Sequence, residues 1–196
     1  MRKQPRQERS RQMVERIVEA GRQVLVEDGY DTFSTNRVAA AADVSPGSLY
    51  QYFPDKASIV AVVVDRYVDE TSELVAAALS DRITELGPAM VRDTADALLA
   101  ALERDPALLR VVYEELPLGR THARLTQVER QVRHLAAAYL GARPEINHRP
   151  DAAAAAWIMV LAIENLAVRW VLDRPDLTRD QLLDEMVALI AGYLLS

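Results

Sequence analysis

Residues 33–56 read FSTNRVAAAADVSPGSLYQYFPDK, and this stretch decides how the chain around it folds. It divides into two short helical segments and a tight turn. The first spans Thr35 to Ala42 and sets Val38, Ala39 and Ala42 on one side. Asp43 and Val44 make the turn. Ser45-Pro46 then starts the second segment, Pro46 to Phe53. A serine side chain accepts from the free amides of a first turn, and proline at the first helical position gives up no hydrogen bond. Pro54-Asp55 stops that segment and begins another. Val38, Ala39, Ala42, Val44, Leu49 and Phe53 form a small apolar inner face, which allows two short helices to cross closely. Gly47, Ser48, Tyr50 and Gln51 point the other way. Two short helices joined by a tight turn and packed on a longer one make a three-helix DNA reader, whose last helix enters the major groove. Gln51 donates and accepts, as base-edge readout requires, and Tyr50 can reach a phosphate or a thymine methyl. Gly47 permits close backbone approach to DNA, and the helix N-terminus favours a phosphate.

Outward from this stretch nearly every segment has helical periodicity, and none shows the alternation of a strand. Towards the N-terminus, Val14, Ile17, Val18, Gly21 and Leu25 share one face of a helix over residues 10–28, capped by Ser10 and ended by Gly29. Phe33 plugs the small core between this helix and the two short ones. Towards the C-terminus, Ile59, Val62, Val63 and Tyr67 lie on one side of a long helix over residues 56–80. It would serve as a rigid joint to the rest of the chain. Further helices are predicted over 88–103, 106–115, 119–140, 151–173 and 178–194. The expected architecture is all-α, with about nine helices. Residues 1–56 would form an N-terminal three-helix helix-turn-helix DNA-binding domain with a basic arm at 1–9, and residues 57–196 a C-terminal helical ligand-binding and dimerisation domain.

The net charge of −6 argues against nucleic acid until its distribution is considered. Residues 1–56 carry nine Lys and Arg against eight Asp and Glu; residues 57–196 carry fourteen against twenty-one. Arg2, Lys3, Arg6, Arg9 and Arg11 crowd the start of the chain, with Glu8 as the one acid among them. A DNA contact therefore belongs at the N-terminal end. The chain has no cysteine, which excludes disulfides and thiolate metal sites and fits a reducing cytosol. The basic N-terminus has no apolar run behind it, as a signal peptide would. No stretch reaches the ~20 apolar residues needed to span a bilayer. Residues 152–163 form the longest apolar segment, and Glu164 follows it. The expectation is a cytoplasmic protein without a membrane partner. His122, His134 and His148 fall into no catalytic or metal spacing, and neither a phosphate-binding glycine loop nor a nucleophile elbow is present. An enzyme, a metal site and a cofactor are not expected.

Phe33 to Lys56, with the long helix before it, resembles the N-terminal signature of the tetracycline-repressor (TetR) family. The likeness covers residues 10–66 and rests on the Thr35-x-x-Val38-Ala39 opening and the Gly47-Ser48-Leu49-Tyr50-x-Tyr52-Phe53-x-x-Lys56 ending. It implies a ligand-responsive DNA-binding transcriptional regulator, in most members a repressor released from a palindromic operator by a small molecule. Carried onto matching positions, it implies DNA contacts from Thr35, Asn36 and Arg37 at the second helix, and from Ser45, Gly47, Ser48, Tyr50, Gln51 and Tyr52 on the recognition helix. Lys56 matches a lysine that meets phosphate. Pro46 stands where the family varies, and the recognition helix has no arginine, the commonest reader of guanine.

The resemblance also implies double-stranded operator DNA, a homodimer through helices 151–173 and 178–194, and an unidentified small-molecule effector. The two C-terminal helices suit pairing. Alanines 152–156 allow close approach, and Trp157, Ile158, Leu161, Ile163, Val168, Leu182, Leu183, Met186, Leu189, Ile190 and Tyr193 are too apolar for a solvated surface. Burial within one chain would explain them as well. Candidate effector-lining residues are Met90, Thr94, Leu98, Tyr113, Trp157, Leu161 and Asn165. The competing class is a helical protein–protein adaptor that uses the same apolar helices and binds no operator.

Overall fold

The computed structural model of the protein describes residues 4–79, 88–117 and 120–195. Arg2, Lys3 and Gly119 lie outside them, as does the predicted last residue of the long helix, Ser80. Among the described residues the chain is helical, without strands. The elements are α1 (Gln4–Thr32), α2 (Thr35–Ala41), α3 (Pro46–Tyr50), α4 (Lys56–Leu79), α5 (Pro88–Leu102), α6 (Pro106–Arg110, continued as a π-helical turn over Val111–Glu115), α7 (Arg120–Gly141), α8 (Ala152–Asp173) and α9 (Arg179–Leu195). They form two compact units. The first comprises residues 1–68 and 107–122, the second residues 69–106 and 123–196.

In the first unit α1 packs on α2, α2 on α3, and α1 on the π-helical turn after α6. Most residues that the helical periodicity selects are buried: Ile17, Val18 and Leu25 of α1, Val38 and Ala39 of α2, Leu49 of α3, and Ile59, Val63 and Tyr67 of α4. Val14 and Val62 are only half-buried, whereas Val24, Val60, Val64 and Val68, not selected, are buried. Leu108, Leu109, Val111 and Val112 complete this core from far along the chain. A Cβ at Gly21 would stand 2.7 Å from Ile59 Cγ2 and 3.6 Å from Val63 Cγ2, so the missing side chain is what lets α1 and α4 touch.

Three boundaries differ from the sequence expectation. Helix α1 starts at Gln4, so Ser10 lies inside it and is not its N-cap. Helix α1 runs on past residue 28 to Thr32, but Gly29 interrupts it with φ 74° and ψ 167°, a backbone region open almost only to glycine. The glycine thus ends one run of helix and redirects the chain into a last turn. Helix α3 is five residues long and stops at Tyr50 rather than Phe53. The amides of Tyr52 and Phe53 both turn back to the Leu49 carbonyl, which tightens the chain. Phe53 precedes Pro54, whose ring disfavours helical backbone at the preceding residue.

In the second unit α5 packs on α8 and α9, which also touch each other. Two arginines stitch α5 to α9 in opposite directions. Arg92 of α5 pairs with Asp180, 3.0 Å away, and with Asp184. Arg179 of α9 donates Nε to Asp96 at 2.7 Å, pairs with Glu103, and reaches the Asp96 carbonyl at 2.8 Å. Partial burial opposes the charge on Arg179, but the Asp96 hydrogen bond and the Asp96 and Glu103 charges outweigh it and raise its pKa further above the usual arginine range. The N-terminus of α9 carries a reciprocal capping box: the Thr178 hydroxyl accepts from the Gln181 amide at 3.3 Å, and Gln181 Oε1 accepts from the Thr178 amide at 2.9 Å. Its C-terminal carbonyls are held by the loop before α8. Arg149 Nε donates to Tyr193 at 2.7 Å and the His148 amide to Leu194 at 2.8 Å.

Helix α8 is the one described helix long and apolar enough to cross a membrane, with a mean hydropathy of 1.6 over its most apolar window. The helix runs through Glu164, as the predicted span of 151–173 requires. Ala155, Ala156, Met159, Ile163, Ala167 and Val168 are nevertheless buried against the unit's own helices.

Gly21→Ala should destabilise the protein by about 1–3 kcal/mol, the typical cost of overpacking a well-filled contact, read from urea denaturation. Arg179→Ala should cost about 1.5–3 kcal/mol in the same measurement, because it removes charged hydrogen bonds to two acids and a carbonyl.

Candidate nucleic-acid interface

The short α3 is fixed from both ends and from beneath. Ser45 is its N-cap: the side chain accepts the Ser48 amide at 3.1 Å, and the Ser45 and Ser48 hydroxyls are 2.9 Å apart. Leu49 is fully buried under it, and Phe53 closes the turn that follows. Asp43 makes the preceding turn in the left-handed region, φ 52°, which aspartate tolerates better than most residues. Beyond α3, Asp55 Oδ1 accepts the Ser58 amide at 2.7 Å and caps α4.

On this frame the predicted reading residues come together. Tyr50 is 52 % exposed, and its hydroxyl lies 3.0 Å from the Thr35 hydroxyl. Thr35, at the start of α2, and Tyr50, at the end of α3, thus share a hydrogen bond that joins the two short helices. Ser45, Gly47 and Gln51 are exposed, and Ser48 is half-buried. A Cβ on Gly47 would meet only Ser45 Oγ, at 4.0 Å, so the room left by this glycine faces outward and serves no packing. Tyr52 is half-buried, beyond the end of α3 and next to Phe53, which gives it a mixed position. Asn36 is exposed and does not cap α2; Ser34 does, accepting the Arg37 amide at 3.4 Å.

The two cations placed here by the sequence both have partners. Arg37 Nε lies 3.1 Å from Asp28 Oδ2. Lys56 Nζ sits 4.5 Å from the centre of the Tyr30 ring. Asp28 and Tyr30 were not singled out in the sequence, nor was Glu115, whose carboxylate accepts the Tyr30 amide at 3.1 Å. Helical spacing says nothing about contacts between different helices, and none of these residues stands in a motif.

Residues 17–63 match the family model described as bacterial regulatory proteins, tetR family, and residues 88–194 match the model described as tetracyclin repressor-like, C-terminal domain. The second match alone spans more than half of the chain. This chain belongs to the TetR family. It is a DNA-binding transcriptional regulator, and TetR-family regulators are not enzymes. Solved structures share the fold. A TetR-like transcriptional regulator from Rhodococcus sp. RHA1 is 21% identical, with a TM-score of 0.72 and 94% of this chain and 96% of that one covered. The fatty acid degradation regulator FadR from Bacillus halodurans is 20% identical, with a TM-score of 0.70 over 93% and 96% of the two chains. A transcriptional regulator from Pseudomonas aeruginosa is 18% identical, with a TM-score of 0.71 over 95% and 92%. No curated protein sequence matches this one.

The C-terminal candidates are less concentrated. Met90, Thr94, Leu98 and Leu161 are half-buried in the second unit, and the Thr94 hydroxyl donates to the Met90 carbonyl at 2.7 Å within its own helix. Trp157, 50 % exposed, and Asn165 stand on the surface of α8, and Tyr113 belongs to the first unit. Of the apolar residues expected to be available for pairing, Ile163, Val168, Leu182, Leu183, Met186 and Ile190 are buried within the chain, whereas Trp157, Ile158 and Leu189 are exposed. Leu166 is exposed as well.

Ser45→Ala should cost about 1 kcal/mol of stability, the usual value of an N-cap side chain, seen as a lower urea midpoint with an unchanged slope.

Proposed function

We propose that this protein represses transcription from a palindromic operator as a homodimer and is released by a small molecule. The observation that carries the operator reading is the exposed polar outer side of α3, with Tyr50 locked to Thr35 and Gly47 open to the outside. Thr35, Asn36, Ser45, Gly47, Ser48, Tyr50, Gln51 and Tyr52 read or flank the groove. Arg37 and Lys56 meet phosphates, which requires Arg37 to exchange Asp28 for DNA. The DNA-binding domain corresponds to residues 1–56 with its basic arm, and residues 57–196 serve ligand binding and dimerisation. One short helix contacts too few base pairs for useful specificity, and a dimer doubles the site. The exposed Trp157, Ile158, Leu166 and Leu189 supply the apolar area for pairing α8 and α9 with their twins. The effector binds in the second unit, where Met90, Thr94, Leu98 and Leu161 are half-buried, and thereby changes the separation of the two recognition helices. Thermodynamically it need only bind the DNA-free state better than the bound one.

Selection from a random duplex pool with purified protein tests the operator reading. The expected result is an enriched palindrome that Tyr50→Ala fails to enrich. On that duplex Lys56→Ala should lower the slope of log affinity against log salt by about 1, as loss of one phosphate contact does. No enrichment at low salt from a folded dimer favours the adaptor. Leu189→Glu should shift the protein to monomer in sedimentation and weaken operator binding at least tenfold; a dimer that survives it places the interface elsewhere.

A further inference from the structure

The C-terminal end of α1 makes two contacts that lead to the same cation. Gly29, with φ 74°, leaves its Cα bare, and a Cβ there would stand 2.9 Å from Glu115 Oε2. That same oxygen accepts the amide of Tyr30, a bond across 85 positions of sequence. The Tyr30 ring then lies against the Lys56 ammonium at 4.5 Å. All four residues belong to the first compact unit. The Glu115 carboxylate is carried by the π-helical turn, whose buried Val111 and Val112 anchor it in the core.

A lysine on a four-carbon stem loses rotamer freedom when it meets a phosphate, and that loss weakens binding. An aromatic face under the ammonium restricts the stem beforehand. It contacts one side of the group and leaves N–H donors on the other side for a phosphate oxygen. We propose that Tyr30 is a positioning residue for the phosphate contact of Lys56, and that Glu115 holds Tyr30 in place by accepting its amide across the gap that Gly29 leaves open. The proposal rests on the reading of Lys56 as a phosphate ligand.

The test is a double-mutant cycle on operator affinity in the full chain, using the selected duplex at several salt concentrations. Tyr30→Leu should weaken binding about two- to fivefold, the size of a partly exposed cation–π contact. Tyr30→Phe keeps the ring and should restore wild-type affinity. Glu115→Ala should resemble Tyr30→Leu, while Glu115→Gln, which keeps an acceptor for the amide, should bind as wild type does. In a Lys56→Ala background neither Tyr30→Leu nor Glu115→Ala should weaken binding further. Equal losses in both backgrounds would show that these residues act only on the fold, and tighter binding by Tyr30→Leu would show that the ring withholds the lysine; either overturns the proposal while the phosphate contact stands. If Lys56→Ala alone leaves affinity and salt slope unchanged, the phosphate reading fails, and the positioning role falls with it. Thermal unfolding of each variant identifies any that fails to fold; for such a pair the conservative variants, Tyr30→Phe and Glu115→Gln, decide, since loss of affinity in either overturns the role.

Discussion

A helix of five residues does not hold itself together in water, because nucleation costs more than so few hydrogen bonds return. Everything α3 presents therefore depends on what lies under and before it. Leu49 is fully buried, Ser45 satisfies an amide that the short helix leaves open, and the Thr35–Tyr50 hydroxyl contact joins its far end to α2. With these restraints α3 becomes a rigid display whose outward groups need no rearrangement to face a groove. The same dependence explains why α1 is long. It provides the buried surface of Ile17, Val18 and Leu25 on which the two short helices and α4 are assembled, and Gly21 sets how closely α4 can lie.

The second unit is secured differently. Arg92 and Arg179 cross the α5–α9 boundary in opposite directions, Arg92 to two acids of α9 and Arg179 to Asp96 of α5 and to Glu103 just past its end, so sliding one helix along the other would break both sets at once. Arg179 is the stronger of the two as a constraint, because its planar guanidinium also reaches the Asp96 main chain. A helix held in register by such directional contacts keeps its remaining faces in fixed positions. This gives the exposed Leu189 of α9 a fixed position.

The fold was largely readable because helical periodicity and most end signals agree, although Ser10 does not begin α1 and α3 stops short of Phe53. The apolar spacing of α1, α2 and α4 selects most of the residues that are buried, and Ser45-Pro46, Asp151 and Thr178 mark helix starts by chemistry that needs no neighbour. Periodicity cannot distinguish a helix face buried by its own chain from one left for a partner. Leu182, Leu183, Met186 and Ile190 illustrate this: they read as a pairing seam and lie in the core, whereas Leu189, on the same helix, is exposed. The outward residues of α3 were legible from motif spacing. The partners of the two nearby cations were not, since Asp28, Tyr30 and Glu115 meet them or their supports only through the tertiary arrangement.

Charge accounts for how a protein with a net charge of −6 can approach a polyanion. The acidic excess resides wholly after residue 56, so long-range repulsion falls mainly on that part of the chain and favours approach with the N-terminal part towards DNA. At contact range the recognition helix brings no cation of its own, and Arg37 arrives already paired with Asp28. Breaking that pair returns part of what a new phosphate contact provides, so Arg37 adds less net affinity than a free arginine would. Lys56 carries no such debt, because a ring beneath the ammonium can stay in place while a phosphate binds from the other side. In the proposed dimer the cations beside α3 are few, so affinity would rest as well on the basic N-terminal arm, on the polar face of α3 and on the simultaneous use of two copies.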